Sequence, residues 1–396
     1  MKFLSKSKKI KNKKVIIFDI GSGSVAGAVA LIPLNKELTP TILKSVRNEI
    51  KFRRDLNFND FVNDMTDSLY KVANLILNEK LGAPDEIFCV LASPWYISEN
   101  KVIKIEKSKK AVFKNKNANK LIKEETARLT NYYKKKYGED VPKMIEQYIL
   151  SVSLDGVPVD NPVGLKYKTA EIDMIMSSSP TMCLDKVKET ISKVFHETKV
   201  NFSSFTLLTH LALRDRYIKD NSYLLVDVAG EITDIGVVIN GILKFNLSFP
   251  IGKKTIFKNI CNKLDLELRD VQEILKLYSE KRLFKPIVSK IEPIIKNIEN
   301  SWIKSFSESL NNLSSKSIDI PHLIYLTADN NVKSWVTNVI EKIEHPLFKT
   351  NNYKYIVEKL DGSEFSRMCN FAEGEHDPFL MIETIAITDL ISYKNK

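Results

Sequence analysis

No apolar run in the chain approaches the roughly 18–20 residues that a membrane-spanning helix needs, so a helical membrane span is excluded. Cysteine is scarce. Cys89, Cys183, Cys261 and Cys369 stand far apart, with no CxxC pair and no histidine at ligand spacing. That rules out a legible disulfide framework or zinc motif, and the four read as reduced, buried or half-buried thiols of a cytoplasmic protein. The 5 histidines are dispersed as well, against a structural zinc site. The basic start runs into an apolar segment broken by Asp19 and then by Gly and Ser, unlike a signal peptide. What the chain has in excess is lysine, giving a net charge of +11. Two stretches are densest, Lys2 to Lys14 and Lys101 to Lys136. Neither shows the aromatic pattern of an RNA-recognition sheet, and no helix-turn-helix or zinc motif accompanies them, so nucleic acid is not an expected partner.

Against this background two short segments stand out. Val15-Ile16-Ile17-Phe18-Asp19 runs into Ile20-Gly21-Ser22-Gly23-Ser24, and Leu224-Leu225-Val226-Asp227 runs into Val228-Ala229-Gly230-Glu231-Ile232-Thr233-Asp234. Each is an apolar strand, an Asp, a turn of small residues and a second apolar run, which predicts a hairpin tipped with Asp, Gly and a hydroxyl. Two such tips face to face would offer backbone N–H donors for phosphate oxygens and two carboxylates for a hydrated Mg²⁺.

The spacing predicts a helix over Phe58 to Leu81 and a buried strand over Glu86 to Ala92, an α/β order. Residues 99–177 differ in texture: a lysine-rich helix, an alternating strand Gln147 to Leu154, a Gly/Pro-punctuated loop and a strand Lys168 to Met176. They read as a small inserted subdomain. Helices to about Thr198 and over Phe205 to Tyr217 lead to the second hairpin, so the order of elements recurs as a diverged duplication. Beyond Pro250-Ile251-Gly252 the chain turns helical, then His322 to Thr327 is a strand, Lys333 to Ile343 a helix, and Asp377 to Leu390 a final helix with Ile382, Ile385 and Leu390 inward.

With both hairpins in place, the chain resembles the actin-like ATPase superfamily. Asp19-Ile20-Gly21-Ser22-Gly23-Ser24 looks like its first phosphate loop, Asp227 to Asp234 like its second, and Leu326-Thr327-Ala328-Asp329-Asn330 sits where the family has its adenosine loop. Within it the FtsA family of bacterial cell-division proteins is the best match. Gln147-Tyr148 through Leu154-Asp155-Gly156 and Asn161-Pro162-Val163-Gly164-Leu165 resemble its inserted subdomain. Phe249-Pro250-Ile251-Gly252 with Val271 to Lys276, and Ile291-Glu292-Pro293 opening a long helix, resemble its second lobe. The implied architecture is two duplicated lobes around a nucleotide cleft. A basic leader covers 1–14. The first lobe is formed by 15–98, 178–216 and 366–396, the insert by 99–177, the second lobe by 217–250 and 318–365, and a helical subdomain by 251–317.

The resemblance implies ATP and Mg²⁺ as ligands. Asp19 and Asp227 would hold the metal through water. Backbone amides at Gly21, Ser22, Gly23, Ser24, Ala229 and Gly230 would cradle the phosphates, Thr233 would place a hydroxyl near the γ-phosphate, Thr327 and Ala328 would border the adenosine, and Glu273 and Lys276 would contact ribose and adenine. From the residues alone Glu273 and Lys276 are an ordinary exposed helix face. Ala229 and Glu231 replace glycines of the family, Ala328-Asp329-Asn330 replaces a Gly-Gly run, and the helix Thr206 to Leu213 has no Glu or Gln to orient water, so weak or absent ATP hydrolysis is expected. The implied role is a self-associating adaptor, peripheral to the cell membrane, that binds the acidic C-terminal tail of FtsZ. The usual C-terminal membrane helix is not seen before Lys396, and the leader 1–14, with Phe3, Leu4 and Ile10 among lysines, is the expected contact to anionic lipid. Two competing readings are a PilM-like scaffold of type IV pilus assembly and a small-molecule kinase of the same fold.

Overall fold

The computed structural model describes residues 12–35, 37–55, 57–138, 141–196, 198–214, 221–314, 318–343, 354–373 and 376–394. Strand β1 (Asn12–Ile20) pairs antiparallel with β2 (Ser24–Pro33), and β2 with β3 (Thr41–Glu49). Helix α1 (Phe58–Asn78) starts at Asn57, whose side chain accepts from the N–H groups of Asn59 and Asp60. It carries the chain over to β4 (Glu86–Leu91), parallel to β1. An inserted unit follows: β5 (Ile97–Val112), α2 (Asn115–Tyr137), β6 (Lys143–Leu154), β7 (Val157–Pro158) and β8 (Lys166–Ser179), forming a 4-stranded sheet in the order β5-β8-β6-β7. Then α3 (Thr181–Ser192), β9 (Val200–Ser204) and α4 (Phe205–Arg214) return to the first lobe.

The second lobe repeats the plan. Hairpin β10 (Tyr223–Val228) and β11 (Thr233–Ile239) is extended by β12 (Ile242–Phe249). Helices α5 (Lys253–Leu264), α6 (Leu268–Ser279) and α7 (Lys285–Ser314) precede β13 (Leu323–Ala328), which lies parallel to β10; α8 (Asn330–Ile340) and β14 (Ile356–Lys359) complete it. The chain then crosses back through β15 (Asn370–Phe371) and α9 (Pro378–Lys394). The lobes are built on a 6-stranded sheet, β15-β3-β2-β1-β4-β9, and a 5-stranded one, β12-β11-β10-β13-β14.

Strand alternation decides where the cores lie. Ile16, Phe18 and Ile20 pack with α1 and α3, while Val15 and Ile17 face the other way. Leu224, Val226 and Val228 pack with α5 and α7, while Tyr223 and Leu225 face the first lobe. Val15, Ile17, Tyr223 and Leu225 all belong to one shared core, filled by α4 and α9 lying between the two sheets. Residues 380–388 of α9 are accordingly buried without a break, most of them apolar, as in a helix packed on all sides. Among the described residues no helix is long and apolar enough to cross a membrane.

Several sequence expectations are corrected. The lysine-rich helix of the insert is α2, while the lysines from Lys101 to Lys110 lie on strand β5, at the edge of its sheet, where lysines are tolerated because one side of the backbone stays unpaired. Pro293 lies inside α7 instead of opening it. Strand β3, absent from the sequence reading, follows the turn at Pro33–Pro40. The basic leader ends earlier than residue 14, because Lys13 and Lys14 belong to β1, with Lys13 paired to Glu86; residues 1–11 lie outside the described residues. Helix α1 ends at Asn78 and α9 runs on to Lys394.

Candidate functional site

The period of two that builds the shared core also positions the two aspartates. Asp19 follows Val15 and Ile17 on one face of β1, and Asp227 follows Tyr223 and Leu225 on one face of β10. Both strands thus end by pointing a carboxylate into the space between the lobes. Asp19, Gly21 to Ser24, Asp227, Ala229 and Gly230 line one cavity, together with Arg47, Ala92, Phe205, Asp329 and Phe379. The sequence motifs did converge.

What they converge on is small. The cavity holds about 30 Å³, room for about two waters. The loops are in direct contact: a Cβ on Gly230 would come within 2.4 Å of the Gly23 nitrogen, so only glycine permits the approach. The N–H of Glu231 donates to Ser22 Oγ at 3.0 Å, engaging one loop with the other.

Two cations that the sequence motifs do not mark stand here, one lining the cavity and one against the first loop. Register places the first: Asp19 pairs with Ala26 and Ala26 with Arg47, so the arginine reaches along one row of the sheet. Its guanidinium donates to Asp19 Oδ2 at 2.8 Å, to Ser24 Oγ at 2.7 Å, and to both oxygens of Asp377 at 2.7 and 3.0 Å. It also sits 5.1 Å from the centre of the Phe379 ring. Burial raises the Asp19 pKa to about 6, with Arg47 pulling it back. Burial opposes the Arg47 charge, but Asp377 and Asp19 outweigh it and hold its pKa above the ordinary value.

The second cation is Lys253, on the first turn of α5 and 2% exposed. It pairs with Asp329, and donates to Glu49 Oε2 at 3.3 Å. Its Cε lies 2.7 Å from where a Cβ on Gly23 would stand, so the chain lies directly over the first loop. Burial disfavours the charges of Lys253 and Asp329, and each overcomes it in the other's field: the lysine pKa is raised and the aspartate pKa lowered. Glu49 belongs to β3 and Asp329 follows β13, so one ammonium bridges the lobes.

Around Asp227 the chemistry is different. Thr327, its register partner on β13, donates to Asp227 Oδ1 at 2.7 Å. Asp234, opposite it on β11, accepts from Ser93 Oγ at 2.9 Å. Burial first, then the nearby Asp234, pushes the Asp227 pKa well above the ordinary carboxylate range. Burial raises that of Asp234 to about 7. Deeper, Glu383 of α9 is wholly buried and its carboxyl oxygens have no hydrogen-bond partner among the described residues; burial holds it protonated.

The remaining expected residues lie elsewhere. Thr233 faces the opposite side of its sheet, where its hydroxyl donates to the Ile251 carbonyl at 2.6 Å and accepts from Trp302 Nε1 at 3.3 Å. Ala328 is buried in the second-lobe core, and α8 begins immediately after Asp329 with no loop to carry adenosine. Glu273 and Lys276 are exposed on α6 and do not line the cavity. The arrangement therefore does not suit the Mg²⁺ implied by the resemblance, since a guanidinium stands at Asp19 where a dication would approach; a lysine lies over the first loop, and the cavity between the loops holds about 30 Å³.

A larger recess lies at the junction with the insert. It measures about 420 Å³ and runs between β9, at the edge of the 6-stranded sheet, and β6. Phe88, Tyr148, Leu184, Phe202 and Leu207 give it an apolar floor; Lys143 and Lys188 border it, the Lys188 ammonium lying 5.6 Å from the centre of the Phe202 ring. Glu146 anchors the two sheets here, accepting from Ser177 Oγ at 2.6 Å and the Ser204 N–H at 3.0 Å.

Two duplicated lobes, each with an Asp-tipped hairpin and closing on a common cleft, define the actin-like ATPase fold, and this chain has it. Among solved structures, a chain of the PilM–PilN type IV pilus biogenesis complex superposes with a TM-score of 0.62 over 96% of this chain and 98% of that one, at 11% identity. A protein of actin-like ATPase fold and unknown function from Bacteroides thetaiotaomicron aligns over 98% of this chain and 99% of its own, at 11% identity and a TM-score of 0.42. The ethanolamine utilization protein EutJ from Carboxydothermus hydrogenoformans covers 96% of this chain and 90% of its own, at 11% identity and 0.43. No protein-family model matches the sequence, and neither does any curated protein.

Proposed function

We propose that this chain is a nucleotide-independent protein scaffold of the PilM kind, which holds an extended segment of a partner protein in the recess between β9 and β6. The observation that carries the reading is the contrast between the two spaces. The cleft that would serve an ATPase is lined by Arg47, with Lys253 lying against its first loop, and holds about 30 Å³, whereas the recess holds about 420 Å³ over an apolar floor. An edge strand offers unpaired backbone groups to an added strand, and the apolar floor offers places for alternate side chains. The overall match to a chain of a PilM–PilN complex supports a protein-binding use of the fold.

A second reading, an FtsA-type adaptor that carries the FtsZ tail on α5 to α7, draws on the Asn161 to Leu165 segment at the end of the inserted sheet. The kinase reading has no substrate space at the cleft. Fluorescence anisotropy with two labelled peptides decides between the others: the cytoplasmic N-terminal segment of a PilN-type partner and the C-terminal tail of FtsZ. Binding of the first, weakened at least tenfold by Phe202→Asp, is expected; binding of the FtsZ tail alone, unaffected by that change, would reverse the assignment.

A further inference from the structure

We propose that the free end of the inserted sheet is a contact surface for an anionic lipid bilayer. Its most unusual feature is a break in a regular ladder. Strand β5 pairs with β8 down to Glu106 opposite Thr169, and pairing resumes at Ala111 opposite Tyr167. Lys107, Ser108, Lys109 and Lys110 are therefore pushed out of the sheet, and all are exposed. The core beneath does not demand this, since Ile105 and Phe113 on either side are buried in the same small cluster.

The lysines at this end carry no close ion pair, although Lys110 acts on Asp155 at longer range. Lys107, Lys109, Lys110, Lys114, Lys166 and Lys168 are exposed, and none makes an ion pair among the described residues. Nearer the body of the protein, lysines of the same strand are paired: Lys101 with Glu99 at 2.7 Å and Lys104 with Glu171 at 3.0 Å. The acids at the free end are Glu106, Asp155 and Asp160, and Asp155 is engaged by the N–H groups of Lys168 and Thr169, each at 2.8 Å.

Among these lysines stand exposed aliphatic side chains. Val157 is 62% exposed, Val163 55%, Leu165 45% and Val112 39%. They are held firmly, because Phe113 N–H donates to the Leu165 carbonyl at 2.9 Å and Gly164 N–H to the Phe113 carbonyl at 3.0 Å. A Cβ added at Gly156 or Gly164 would meet nothing within 4 Å, so these turns project from the fold. At the opposite end the insert is tied down: Asn100 donates to the Leu243 carbonyl at 2.6 Å, and Lys244 pairs with Asp173 at 2.5 Å.

Aliphatic side chains ringed by unpaired lysines match the two components of a bilayer surface, acidic headgroups and the acyl boundary. A nucleic acid is a poorer match, because the aromatic rings here, Phe113 and Tyr167, are buried and leave no platform for a base. The cations are all lysine, point charges suited to a diffuse field rather than to the bidentate pairing that arginine would supply.

Co-sedimentation of the full chain with phosphatidylcholine vesicles, with and without phosphatidylserine, tests this. Binding only to the acidic vesicles and weakening with salt is expected. Each lysine contributes about fivefold, so the combined change Lys107→Glu, Lys109→Glu, Lys110→Glu should lower vesicle affinity by at least a hundredfold. Val163→Asp with Leu165→Asp should lower it less, with both variants melting as the parent does. Undiminished binding by the triple variant would overturn the proposal and move the contact to another basic segment such as the leader. Equal binding to neutral vesicles, or displacement by short RNA bound with the same affinity, would overturn it too.

Discussion

Asp19 and Asp227 occupy corresponding places in two hairpins, each the last inward residue of a strand whose alternate positions build the shared core. Their neighbours differ completely. Asp19 is met by a guanidinium, and Asp227 by a hydroxyl and a second carboxyl. Burying a carboxylate requires either an opposite charge or a proton. The first lobe has taken the one course and the second the other, so the duplicated scaffold is kept while its two aspartates stand in unlike surroundings.

The comparison is most strongly broken by removing the buried cations. Arg47→Met leaves Asp19 and Asp377 without their cation and should cost about 3–5 kcal/mol in urea unfolding, whereas Lys253→Met leaves the partly exposed Asp329 in the remaining field of Arg47 and Lys333 and should cost less. Adding Asp377→Asn to Arg47→Met should recover part of that loss, which a purely packing role for the arginine would not allow. On the second-lobe side, Thr327→Val removes one hydrogen bond and should cost only about 1 kcal/mol. An equal cost on both sides would show that the two aspartates are not differently charged.

Acidity sharpens the same contrast. Asp234 titrates near 7 when folded against 3.8 in the unfolded chain, so the native state holds its proton more tightly. The stability it contributes is complete below about pH 3.8 and is lost as pH rises through 7. Asp234→Asn should therefore raise Tm over the parent by a few degrees at pH 8, on the order expected for about 1 kcal/mol, and by less at pH 5. A gap that widens toward acid would contradict this. The smallest effect is expected from nucleotide: a site saturated a hundredfold would add about 2.7 kcal/mol, and ATP with Mg²⁺ should shift the parent's Tm by nothing measurable. A clear shift would reopen the cleft as a ligand site.

Both hairpins, the parallel strands after them and the long helices were legible because each rests on local signals, namely alternation, turn residues and helical spacing. The occupants of the cleft were not. Arg47 lies on β3, a half-buried strand of mixed polarity, and meets Asp19 only through the register of three strands. Lys253 is one lysine among many in the sequence, distinguished only by burial that arises when the lobes come together. Glu273 and Lys276 show the converse, since a motif likeness placed them at a ligand and the fold leaves them on an open helix face. Thr233 was assigned to the correct turn and to the wrong side of it, a single-residue matter of which face the strand presents.

The helices between the sheets carry a mechanical consequence. A hinged machine opens at a wet seam, where separating two bodies exposes little that water would refuse. Here α4 and α9 knit residues of both sheets into one buried apolar cluster, from Val15 and Ile17 on one side to Leu225 and Tyr325 on the other. Prising the lobes apart would strip that cluster along with the ion pairs above it. The two halves are thus expected to melt as one cooperative unit, giving a rigid strut where the duplicated architecture would otherwise allow a jaw.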